Sequence, residues 1–323
     1  MLNRSAAAIG IATLDADGTP LDAWYPSLAL GEAGGDRGTF SASVHELSEA
    51  MGEDASRLLA EDPIRGVHRV GVKVAIPDLS LPVEGLHDLF LRLHLLSHRL
   101  VRPNSLNLDG MFEVMDPDIA WTSSGPCRAS KLGDVMRRAK MAGQPLHVRS
   151  LFAVPPMLDY VWPSGVTIAD AARVLLGAHL APGTMVTHEG FCGLNAGSLG
   201  PSMIEGRISA GVVIGSGSDV GGGASLMGTI SGGGRERVSL GERCLLGANS
   251  GVGIALGDDC LVEAGCYITA GALVALPDGS VVKARELSGR PRLIYRRNSR
   301  TGSLEALENT GRWGGLNPVL HKT

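Results

Sequence analysis

Aromatic residues are scarce in this 323-residue chain: five Phe, four Tyr and four Trp make up 4% of it. A core packed around bulky rings is therefore not what the sequence specifies. No apolar run approaches the ~20 residues that a membrane-crossing helix needs. The N-terminal stretch MLNRSAAAIGIATLDADG has one Arg and a short apolar segment with aspartates directly after it. It reads as a first strand rather than a secretion signal. Positive charge is not in excess either, with 29 Lys+Arg against 33 Asp+Glu and a net charge of -4. That excludes a global field recruiting nucleic acid or an anionic membrane. The five cysteines are odd in number and contain no CxxC pair. A disulfide framework and a zinc knuckle are thereby disfavoured, and reduced thiols in a cytoplasmic protein are expected.

What is abundant is glycine, at 45 residues, about 14% and twice the ordinary share of roughly 7%. Five of them, Gly215, Gly221, Gly241, Gly247 and Gly257, directly follow the aliphatic residue of a six-residue rhythm. Aliphatic side chains recur at Ile168, Val174, Leu180 and Val186, again at Ile208, Ile214, Val220 and Leu226, then at Leu240, Leu246 and Val252. A four-residue shift leads to Leu256, Val262, Ile268 and Val274. Four positions after the aliphatic residue a small one stands, among them Ala172, Ala178, Thr184, Ser218, Cys244, Ser250, Cys260 and Cys266. Neither a 3.6-residue helix nor simple strand alternation has this period. It predicts short flat strands joined by corners, each coil stacked on the last at ~4.8 Å through backbone ladders. Cys244, Cys260 and Cys266 then read as small inward-facing residues rather than metal or redox groups.

Around the repeat, residues 1–110 read as an N-terminal α/β domain. Two strands flank an Asp-Gly turn, a Ser-capped helix begins near Ser43, VHRVGVKVAIPD alternates as a strand, and GLHDLFLRLHLLSHRL forms a helix with Leu86, Leu89, Phe90, Leu93 and Leu96 on one face. His87, His94 and His98 on it are expected to be solvated or capping. Residues 111–165 form a connector holding a basic helix, residues 166–282 the coil domain, and residues 283–323 a basic tail with a loose end. Two interruptions of the repeat, 187–207 and 227–239, are expected to leave the coil as loops.

The hexads resemble those of the hexapeptide-repeat acyltransferases. That resemblance implies a mainly β fold, a left-handed parallel β-helix, and a homotrimer with acyl-donor grooves between subunits. The runs MFEVMDPDIAWTSSGPC, MIEGRISAGVVIGSGSDVGGGASLMGTISGGG, RCLLGANSGVGIALGDDCLVEAG and VVKARELSG…RRNS are similar to the tetrahydrodipicolinate N-succinyltransferases over roughly residues 111–300. The longer branch of that family matches best. The implied reaction passes succinyl from succinyl-CoA to the amine of ring-opened tetrahydrodipicolinate (L-2-amino-6-oxopimelate), in lysine and diaminopimelate biosynthesis.

Such chemistry needs a group to take the amine proton, N–H donors for the thioester oxyanion, and two substrates held in line. The resemblance assigns Glu205, in MIEGR, as the reacting carboxylate, either general base or acyl-anhydride former. It places Arg207, Gly222, Ser225, Ala248, Glu263, Ala264, Gly271, Lys283, Arg296, Arg297, Asn298 and Ser299 at the CoA site. It also implies Mg²⁺ near the trimer axis, held by Glu189. Here the second acid is missing from the matching position, since Asp170 is near but Ala172 stands in register. Asn195, Ser198 and Ser231 are candidates for the dicarboxylate acceptor. From Lys283 to Arg300 seven cations face one anion, Glu286, a balance that suits the phosphates of CoA. Two alternatives stay open on sequence: acetyl-CoA as donor to the same acceptor, and a non-catalytic β-helix scaffold. A γ-type carbonic anhydrase is disfavoured, because only His179 and His188 lie in the repeat and three zinc-binding histidines are required.

Overall fold

The computed structural model describes residues 4–31, 35–229, 236–311 and 313–321. Ser231 and the rest of residues 230–235, within the second interruption, lie outside these residues. The chain divides into two compact units, one of residues 1–95 and 104–155, the other of residues 96–103 and 156–323.

In the first unit, strand Ala6–Asp15 lies between Pro20–Leu30 and Val67–Ile76, all antiparallel, with Gly38–Ser41 on the far edge. The helix Val44–Met51 starts as its sequence dictates. Ser43 accepts from the Glu46 amide while the Glu46 carboxylate accepts from the Ser43 amide, a capping box. Helix Leu86–Ser97 departs from the expectation of one apolar face. Leu89, Phe90, Leu91, Leu93 and Leu95 are buried, and so are Arg92 and His94. Burial of Arg92 is made tolerable by Asp88 at 2.6 Å and by the carbonyls of Leu79 and Asn107. His94 is not a solvated or capping residue: its Nδ1 meets Phe90 O at 2.8 Å and its Nε2 accepts from the Tyr25 amide. The stretch expected as a connector carries a three-stranded sheet, Gly125–Arg128, Ile119–Thr122 and Val148–Ser150, and the helix Leu132–Met141.

The second unit is a stack of coils with three parallel faces. The first face pairs Thr167–Ile168, Thr184–Val186, Ser202–Ile204, Ser218–Val220, Leu245–Leu246 and Leu261–Val262. The second pairs Phe191–Cys192, Arg207–Ile208, Ser225–Leu226, Gly251–Val252 and Tyr267–Ile268. The third pairs His179–Leu180, Gly197–Ser198, Val213–Ile214 and Ser239–Leu240. The chain visits the faces in that order on every turn. Inward columns such as Val186, Ile204, Val220, Leu246 and Val262 are fully buried or nearly so. Each such side chain contributes roughly 1.5–3 kcal/mol relative to exposure. The hexad cysteines Cys244, Cys260 and Cys266 are buried in the same interior, free of disulfides.

The first interruption is not a loop. Residues 191–204 form one more regular coil, whose inward positions hold Cys192 and Ser198 where aliphatic residues stand elsewhere. Ser198 is satisfied there by Thr184 Oγ1 at 2.6 Å and the Ala181 amide at 3.1 Å. The six-residue register therefore never breaks between Val186 and Ile204; only its chemistry changes. The C-terminal region is not loose either. Leu293–Arg297 adds to Leu261–Val262 in parallel, and Leu304–Glu308 pairs with it in antiparallel, closing what would be an exposed sheet edge. Beyond them the chain runs back down one corner of the stack. Asn309 Nδ2 donates to Asp259 O at 2.8 Å, Trp313 Nε1 to Arg243 O at 2.8 Å, and His321 Nδ1 lies 2.9 Å from Gly183 O.

Candidate active site

The corners that join the first face to the second differ in length. They take four residues at 187–190, 221–224, 247–250 and 263–266, but only two, Glu205 and Gly206, in the coil between the first pair. The short corner is held by amide hydrogen bonds: Glu205 and Gly206 both donate to Val220 O, at 2.8 and 3.0 Å, and Arg207 donates to Ala224 O at 2.7 Å. Gly206 has no alternative here, because a Cβ would overlap Ala224 O. Glu205 thus sits half-buried on the floor of a notch, with a longer corner protruding on either side.

From one side Glu189 reaches across the notch. Its Oε2 lies 3.6 Å from where a Gly222 Cβ would stand. On the other side residues 221–224 form a turn closed by the Ala224 amide on Gly221 O at 2.9 Å, with Gly223 at φ +69°. Beyond it the corners rise as a ladder. The Asn249 amide donates to Gly222 O, the Gly265 amide to Ala248 O, and the Glu263 amide to Tyr295 O, each at 2.9 Å. The Arg297 amide then donates to Glu263 Oε2 at 2.9 Å. One edge therefore gathers Glu205, Gly222, Ala248, Glu263, Ala264 and Arg297.

Arg207 and Ser225 stand in register on the adjoining second face, the guanidinium donating to Ser225 Oγ at 2.6 Å. Gly271 and Lys283 lie at the far end, where Lys283 pairs with Leu273 and the Ala284 amide bonds Ala272 O. Arg296 and Asn298 both engage Glu305, at 3.1 and 2.6 Å. Arg297 donates to Gly302 O at 2.7 Å, and Asn298 Oδ1 caps the turn that carries exposed Ser299 and Arg300.

Two acceptor-site candidates are elsewhere. Ser198 is sealed in the coil interior, and Asn195 is buried in a left-handed turn at φ 54°. Neither faces the notch. Among the described residues no three His, Cys, Asp or Glu side chains converge on a cation position. Asp170 is occupied in accepting from the Ala172 amide. No step below uses a bound cation.

Asp219 was not singled out from the sequence. It points outward from the first face between Met203 and Leu245 and is half-buried. Its carboxyl is pushed up to about 6, by burial first and by the charge of Glu205 second, with His321 opposing. The signal was present: a lone acid in an outward column otherwise made of Thr167, Met185, Met203, Leu245 and Leu261.

A three-faced parallel coil built on hexads, with a carboxylate recessed at one corner, defines a hexapeptide-repeat transferase. The model described as hexapeptide repeat of succinyl-transferase matches residues 237–270. A 2,3,4,5-tetrahydropyridine-2,6-dicarboxylate N-succinyltransferase of Pseudomonas aeruginosa is 47% identical over 300 residues, covering 90% of this chain and 86% of the relative. One from Salinispora tropica is 53% identical over 325 residues, covering 98% of each. A crystal structure from Campylobacter jejuni, described as a 2,3,4,5-tetrahydropyridine-2-carboxylate N-succinyltransferase, superposes with a TM-score of 0.82 at 26% identity, over 94% of this chain and 92% of that one. The chain belongs to the 2,3,4,5-tetrahydropyridine-2,6-dicarboxylate N-succinyltransferase family.

Proposed function

We propose that this protein transfers the succinyl group of succinyl-CoA to the amine of ring-opened tetrahydropyridine dicarboxylate, releasing CoA, as a cytoplasmic homotrimer of left-handed β-helices. The observation that carries the reading is Glu205 in its two-residue notch, on a chain whose relatives bear that enzyme's name.

Glu205 takes the proton as the acceptor amine attacks the thioester carbon, worth about 10²–10⁴-fold. The thioester oxygen gains charge at that moment and needs a preformed donor. Gly222 occupies the second position of the 221–224 turn, whose own hydrogen bond uses the Ala224 amide, so the turn leaves the Gly222 N–H free of its internal bond. We assign the oxyanion to it. Arg207, fixed by Ser225, meets a carboxylate of succinyl or acceptor as a planar fork does. Holding both substrates along one edge supplies the larger share of the barrier reduction, of order 7–11 kcal/mol. Lys283, Arg296, Arg297, Asn298 and Ser299 receive the CoA phosphates, and Ala248, Glu263, Ala264 and Gly271 line the path between.

The test is mass spectrometry of the purified protein with L-2-amino-6-oxopimelate and either succinyl-CoA or acetyl-CoA. A product heavier by one succinyl group, with free CoA, supports the assignment. Acetylated product alone would reassign the donor, and no product with either would leave a scaffold.

A further inference from the structure

The second face carries an outward column that runs Arg207, Ser225, Gly251, Tyr267, one residue per coil. The glycine in it is not a corner glycine, since it lies within a strand. Its place is filled from the next coil. A Cβ built on Gly251 would stand 2.5 Å from Tyr267 Cδ2 and Cζ, so the ring lies flat in the space that a side chain at 251 would take. Tyr267 nevertheless keeps 42% of its surface exposed. Its free surface lines a pocket of about 380 Å³ with Leu273, Val281, Arg297, Ser303 and Leu304. Leu273 and Val281 are 64% and 59% exposed, so this rim is apolar and open.

The position of the ring along the edge defines what it can touch. Three strand spacings of ~4.8 Å, about 14 Å, separate its register from Arg207 beside the reacting carboxylate. Arg297 borders the same pocket. A donor with its thioester at Glu205 and its phosphates at the basic end must lay its uncharged middle portion across this stretch. An aromatic face with aliphatic neighbours suits such a chain of methylenes and amides.

We propose that Tyr267, seated in the recess left by Gly251, is the bed for the pantetheine arm of the donor, and that position 251 is glycine so that the ring can lie down. This rests on the acyl-CoA reading above and extends it to a residue pair. The pair makes a prediction that a merely structural tyrosine does not. Tyr267→Ala removes the bed. Gly251→Ala keeps the ring but lifts it into the groove.

The experiment is steady-state kinetics on the full chain with succinyl-CoA and with succinyl-pantetheine, which lacks the nucleotide, plus calorimetric titration with CoA. Tyr267→Ala is expected to raise the donor KM about five- to tenfold with both donors and to weaken CoA binding equally, with kcat and the acceptor KM within about twofold. Tyr267→Phe should behave as the parent, because the ring and not the hydroxyl is used. Gly251→Ala should also raise the donor KM, and the double variant should be no worse than Tyr267→Ala alone. An unchanged donor KM in Tyr267→Ala, a penalty seen with succinyl-CoA but absent with succinyl-pantetheine, or additive single-variant effects would each overturn the proposal. If the parent protein turned over no succinyl-CoA, the functional reading would fall, while the CoA titration would still decide the role of Tyr267.

Discussion

The guanidinium of Arg207 donates to the hydroxyl of Ser225 at 2.6 Å, tying two successive coils of the second face together beside the notch. Ser225 is 8% exposed, so the bond fixes an otherwise long and mobile side chain from beneath. Hydrogen bonds to charged groups are worth about 1.5–3 kcal/mol. Ser225→Ala is therefore expected to lower kcat/KM about tenfold while thermal melting stays close to that of the parent. Arg207→Lys should lose activity as well, because an ammonium lacks the planar fork. A fully active Arg207→Lys would remove the positioning role.

Asp219 makes the fold pH-dependent in a defined direction. Its folded-state carboxyl titrates at about 6, raised from 3.8 by burial and by Glu205. The folded state therefore binds a proton more readily than the unfolded chain. This group's contribution to stability is greatest below about pH 4 and declines as pH rises to 6. Asp219→Asn should remove that decline, and the variant should be the more stable protein at pH 7.5, by about 1 kcal/mol once solvent screening of a half-exposed group is allowed for. Melting curves at pH 4.5 and 7.5 check this. A gap between variant and parent that does not widen with pH would contradict it.

The basic end is not a cluster of free cations. Arg296 is already held by Glu305 at 3.1 Å, so it must exchange or share that partner to meet a phosphate, whereas Lys283 is exposed. Lys283→Ala combined with Arg296→Ala is expected to raise the succinyl-CoA KM about tenfold at low ionic strength, with the difference shrinking as salt screens the parent. Equal KM values at low salt would exclude phosphate contact by these two residues.

The returning C-terminal segment holds several coils at one corner through Asn309, Trp313 and His321. Trp313→Ala should cost about 1 kcal/mol through the lost bond to Arg243 O, read as a lower melting temperature with kcat unaltered. A variant that melts with the parent would mean that the strap adds nothing to the stack.

How far the sequence foretold this arrangement depends on what each residue's neighbours are. The hexad register came through because Ile208, Ile214, Val220 and Leu226 repeat one chemistry at one six-residue spacing. The coil at 191–204 was hidden because Cys192 and Ser198 do the same job with other atoms, and Ser198 succeeds through Thr184 and the Ala181 amide, partners distant in sequence. Glu205 could be picked out from its motif, yet its notch could not, since a two-residue corner is short only relative to the corners stacked around it. Asp219 and His94 were missed for a related reason. Their burial is set by Met203, Leu245 and Tyr25, residues distant in sequence that only the folded register brings alongside. The paired Gly251 and Tyr267 lie 16 residues apart, and nothing local marks them as one unit.

The central claim is that the recessed carboxylate at position 205 carries succinyl transfer. Its most direct test is Glu205→Gln assayed by mass spectrometry with succinyl-CoA and L-2-amino-6-oxopimelate, alongside CoA titration of the same variant. Succinylated product should fall by at least about 10²-fold while CoA binds as it does to the parent protein. Product formation at the parent rate by Glu205→Gln would contradict the account.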